Sequence, residues 1–66
     1  MKRTTFKATY HDGTAYRWAF YRDPVANAWF LVTHDGCERW LGVNWADAVP
    51  RIRSIAEGYG MVVGVS

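Results

Sequence analysis

The chain has one cysteine, two prolines and no long apolar run, and each scarcity removes a class of structure. Cys37 alone excludes an intramolecular disulfide and suits a reducing compartment. No segment approaches the roughly 20 apolar residues that a membrane-spanning helix needs. The basic start Met1-Lys2-Arg3 runs into Thr4, Thr5 and Lys7, where a signal peptide would require apolar residues. A cytoplasmic protein with no membrane partner is the expectation. Eight basic against six acidic residues leave a net charge of only +2, too mild to argue for nucleic acid by itself. Sixty-six residues make one small α+β domain, 1–66, with a thin core. Small domains compensate with disulfides, a metal or a partner chain, and here the first is excluded.

What the chain has in excess is aromatic rings: four Trp, four Tyr and three Phe, 17% of its residues. Rings build small cores and also dominate binding surfaces, so the role of each ring is the central question.

One segment, Asn44 to Tyr59, has helical periodicity. Trp45, Ala48, Val49, Ile52, Ile55, Ala56 and Tyr59 recur three, four or seven apart and form one apolar stripe. Arg51, Arg53, Ser54 and Glu57 fall between them. The Asn44 side chain is the expected N-cap, Asp47 suits the positive end of the helix dipole, and Gly58 and Gly60 close the element. Pro50 lies beyond the first turn, so the helix is expected to carry a defect near its start.

The rest reads as strands. Residues 4–22 form a hairpin about Asp12-Gly13. A two-residue loop would put Phe6, Ala8 and Tyr10 opposite Ala19, Arg17 and Ala15. A three-residue loop, His11-Asp12-Gly13, puts them opposite Trp18, Tyr16 and Thr14. The second gathers Phe6, Ala8, Tyr10, Tyr16, Trp18 and Phe20 on one face, as a buried face requires. It also sets Lys7 directly across from Arg17. Arg22 to Asn27 is a loop about Pro24. A second hairpin follows, Ala28 to Thr33 and Cys37 to Leu41 about His34-Asp35-Gly36, and Met61 to Val65 is a last short strand. His-Asp-Gly occurs twice, which is either a duplicated hairpin or good turn chemistry used twice.

The expected fold is α+β: a four-stranded antiparallel meander of two hairpins, one helix packed on one face, and a short C-terminal strand (ββββαβ). Yet Trp29-Phe30-Leu31-Val32 and Met61 to Val65 are apolar at nearly every position, the pattern of strands covered on both faces. One helix covers one face. The other must curl, pair with a second copy, or receive a ligand.

Four kinds of site come under test. His11, Asp12, His34, Asp35 and Cys37 could meet at one rim, with the two turns about 10 Å apart. No pair among them has zinc-ligand spacing, and no metal or cofactor is expected. A Cys37–His34 nucleophile lacks an orienting third residue, so the protein is expected to be no enzyme. Basic and aromatic residues interleaved on a sheet can bind single-stranded nucleic acid; Lys7, Arg17, Arg22 and Arg39 are the cations for that reading. A protein partner or a second copy, docking on Tyr21, Trp29, Leu31 and Trp40, fits the composition best.

In style, being short and rich in Ala, Arg and Trp, the chain resembles small open reading frames from phages of GC-rich bacteria. The resemblance covers no motif and transfers no residue. It implies a host-directed binding role.

Overall fold

The computed structural model describes residues 2–65. The order is β1 (Thr4–Tyr10), β2 (Ala15–Asp23), β3 (Ala28–Val32), β4 (Glu38–Gly42), α1 (Trp45–Tyr59) and β5 (Met61–Val63). This is the expected ββββαβ arrangement. The sheet runs β4-β3-β2-β1-β5, with β5 antiparallel to β1. Helix α1 therefore leaves one edge of the sheet and delivers the chain to the other. No helix among the described residues is long and apolar enough to cross a membrane.

The first hairpin adopts the three-residue loop. Phe6 pairs with Trp18, Ala8 with Tyr16, and Lys7 with Arg17. Gly13 has φ +91°, a left-handed conformation that a side chain would resist, and the Asp12 carboxylate accepts the Thr14 amide at 2.9 Å. Gly36 closes the second hairpin in the same way, at φ +84°.

The buried core joins Ala8, Trp18, Leu31 and Leu41 of the sheet to Ala48, Ile52 and Ala56 of α1, with Met61 and Val65 closing one side. Thus the helix lies on the face that carries Phe6, Trp18 and Phe20. Rings fill the space that few aliphatics leave: Phe20 lies 4.7 Å from Trp45, and Trp29 lies 4.7 Å from the same indole. Beyond β5, the Arg53 guanidinium donates to the Val65 carbonyl at 2.7 Å and ties the chain end to the helix.

Several local expectations change. The Asn44 side chain makes no capping bond; its backbone carbonyl instead accepts the Asp47 and Ala48 amides, both at 3.1 Å. Asn44 is exposed, so water can serve the amides left over. Gly58 stays inside the last turn, and Gly60 alone is the left-handed terminator, its amide reaching the Ala56 and Glu57 carbonyls. Pro50 sits within one continuous helix. β2 continues through Arg22 to Asp23, whose carboxylate then caps the following loop by accepting the Val25 amide. Cys37 lies before β4, and the last strand ends at Val63 rather than Val65. Val65 is nonetheless buried, by packing rather than by pairing.

Candidate functional site

The register assigns every strand residue to a face. Tyr21 pairs with Phe30, and Phe30 with Trp40, so three rings form one row across β2, β3 and β4. That row lies on the face opposite α1, because its neighbours Phe20 and Leu31 point into the core. Tyr21 and Phe30 stack at 5.6 Å with 17° between their planes. Trp40, at the edge, is 53% exposed. The next row, also open, holds Ala19, Val32 and Glu38; the one after it holds Lys7 and Arg17. Val62 of β5, 64% exposed, pairs with Thr9 and completes the open face at its far edge.

Charges frame the rings. The Arg3 guanidinium carbon lies 5.3 Å from the Tyr21 ring centroid, and that of Arg51 lies 5.1 Å from Trp40. The Tyr21 hydroxyl donates to Glu38 across Val32. This bond to a carboxylate, with burial second, raises the Tyr21 hydroxyl above its ordinary value of 10.0. A tyrosine tied down in this way is a fixed platform.

A second cluster occupies the end of the sheet where the two His-Asp-Gly turns lie. Trp18, 1% exposed, donates its indole N–H to His34 Nδ1 at 2.9 Å. The His34 ring stacks on Tyr16 at 4.3 Å and meets Tyr59 edge-on. Tyr59 donates its hydroxyl to Asp35 Oδ2 at 2.9 Å, and the buried Thr33 hydroxyl donates to Asp35 Oδ1. These two donors, Thr33 first, hold the Asp35 carboxyl down at about 2. His34 is exposed, but with its Nδ1 taken by Trp18 and Tyr16 stacked on its ring it is tied into the structure. Cys37 is exposed, and its amide donates to Asp35. No group of three or more potential metal ligands occurs among the described residues.

The residues named from sequence thus separate. Tyr21 and Trp40 share the face opposite α1, where Tyr21 is itself buried at 9% exposure, Phe30 is half-buried and Trp40 alone of the three rings is exposed. Leu31 is fully buried beneath α1, and Trp29 packs against Phe20 and Trp45 on the same covered side, so neither belongs to a surface with Tyr21. Their alternates Phe30 and Val32 take those places. Among the cations, Lys7 and Arg17 stand together on the open face. Arg22 pairs across from Trp29 and donates to Asn27, while Arg39 pairs across from Leu31, so both lean to the helix side. The four do not make one basic patch. Arg51, which fell among the solvent positions of α1, instead lies against β4 with its guanidinium over the Trp40 ring.

No family model, curated protein or solved structure matches this chain, so the geometry alone carries the functional argument.

Proposed function

We propose that this protein is a small non-enzymatic interaction module that associates with a second copy of itself through the open sheet face. The single observation that carries this reading is the row Tyr21–Phe30–Trp40 on the side the helix leaves bare. Rings held flat on a sheet, with little side-chain freedom left to lose, are what a docking surface needs.

The face is self-complementary. A two-fold axis running across the strands at the Ala19–Val32 row would lay the Tyr21 ring of one copy over Arg17 of the other, both being on β2. Cations over aromatic faces contribute roughly 0.5–2 kcal/mol each. Arg17 of the like-charge pair across β1 and β2 would then have a partner that an isolated chain does not give it. A standard interface buries about 800 Å² per partner, roughly a fifth of the 4265 Å² that this chain exposes. A five-stranded sheet can offer that area.

Sedimentation equilibrium over a concentration series is the test. The native chain should shift from monomer to dimer mass. Trp40→Ala, which removes an exposed ring and little core, should move that transition to at least about tenfold higher concentration.

The same Lys7–Arg17 pair favours a second reading, a single-stranded nucleic-acid binder with bases stacked on the open rings. Salt separates the two. Phosphate binding weakens steeply as ionic strength rises and is abolished by Lys7→Glu with Arg17→Glu, whereas a ring-centred dimer keeps most of its affinity.

A further inference from the structure

Around the β4 edge from the open face, β4 and α1 border a groove that the Trp40 ring also lines. Two adjoining cavities of about 300 and 280 Å³ share Arg39, Ser54 and Ile55 as lining, which makes them one continuous channel along the edge of the sheet. The helix contributes Arg51, Ser54, Ile55 and Gly58, a stripe three or four residues apart, and the small side chains of Ser54 and Gly58 leave the space. Arg39 and Arg51 supply two positive charges, and no carboxylate lines either cavity.

The groove borders a free edge. β4 is the terminal strand of the sheet, so one row of its backbone amides and carbonyls has no strand beside it. Natural sheets blunt such an edge with charge, Pro or a bulge; β4 has no Lys or Pro, though it carries Glu38, Arg39 and an irregularity opposite Trp29 and Phe30. An open edge next to a helix is where extended peptides add as a further strand, with backbone bonds giving affinity and alternate side chains giving specificity.

We propose that β4 and α1 form a binding site for an acidic peptide segment in extended conformation, which pairs with β4 as a sixth strand. Its alternate side chains face the helix side, where Asp or Glu carboxylates meet the Arg39 and Arg51 guanidinium groups. The side chains between them face the other way, towards the open face of the sheet, and should be apolar. The motif that fits therefore alternates acidic and apolar residues. Charge complementarity selects an acid, and the strand edge selects a peptide over a nucleic acid. The groove shares Trp40 and Arg51 with the ring row, whereas Ser54, Ile55 and Gly58 belong to the groove alone, so Ser54→Trp separates its loss from loss of self-association.

Fluorescence polarisation with a short labelled peptide alternating Glu and Val tests the proposal on the full chain. Saturable binding is expected, weakened on the order of tenfold or more by Arg39→Glu with Arg51→Glu. Ser54→Trp, which fills the groove from an exposed helical position and leaves both charges, should weaken it similarly. N-methylation of the peptide amides that face β4 should abolish binding. Undiminished binding by the N-methylated peptide would overturn strand addition. Absence of saturable binding to the folded native chain would overturn the site. An oligothymidine that binds more tightly than the peptide and is lost in the same double variant would replace the peptide with nucleic acid.

Discussion

At the scale of single residues, the end of the sheet holding the His-Asp-Gly turns carries a side-chain network that joins Trp18, His34, Thr33, Asp35 and Tyr59. The Trp18 indole N–H is buried and has His34 as its acceptor. His34→Ala leaves that donor unpaired and removes the ring stacked on Tyr16. It should cost about 1–3 kcal/mol, measured by urea unfolding. Asp35 gives a pH dependence with a definite sign. Its folded-state value is about 2, below the ordinary 3.8, so its contribution is fully present above about pH 4 and is lost as pH falls towards 2. Tyr59→Phe removes one of the two hydroxyl donors. The Asp35 carboxyl should then titrate nearer its ordinary value, by NMR titration, and the acid loss of stability attributable to it should shrink. The sequence made the turns legible, because Asp and Gly there have few other uses. It gave no sign that the histidine of the second turn would serve a tryptophan sixteen residues earlier, since that contact depends on which strands become neighbours.

At the scale of elements, the first hairpin was readable to the residue. Its strands alternate, and only one register puts all the rings together. Strand β3 was not readable, for the opposite reason. With Trp29, Phe30, Leu31 and Val32 all apolar, a period of two has no phase, and nothing local says which pair faces the helix. The structure buries Leu31 and leaves Phe30 on the open side, so two of the four docking residues expected from sequence exchange places with their neighbours. The helix was legible from its stripe, although its cap was not. Pro50 remains its weak point, with no amide to offer the Ala46 carbonyl one turn back. Pro50→Ala should stabilise the protein by about 1–3 kcal/mol, less some tenths for the freer unfolded chain. The thermal midpoint should rise by roughly 4–8 °C per kcal/mol in a domain of this size.

At the scale of the whole molecule, one helix and one five-stranded sheet leave an uncovered face, and the physical account depends on what that face carries. A face left to water ordinarily carries polar residues, a row such as Lys, Thr and Glu. This one instead reads Tyr21, Phe30 and Trp40, framed by arginines and fixed by the Tyr21–Glu38 hydrogen bond. Glu38→Gln should lower the Tyr21 hydroxyl towards 10.0, followed by tyrosinate absorbance, and should loosen association by freeing the ring. The excess of apolar residues was legible in the sequence; the identity of the bare face needed the sheet. The most direct test mixes isotope-labelled and unlabelled chains and records only NOEs between copies. We predict cross-peaks linking the Tyr21 and Phe30 rings of one chain to the Arg17 methylenes of the other. A sample of monomer mass at millimolar concentration with no such cross-peaks would contradict the account.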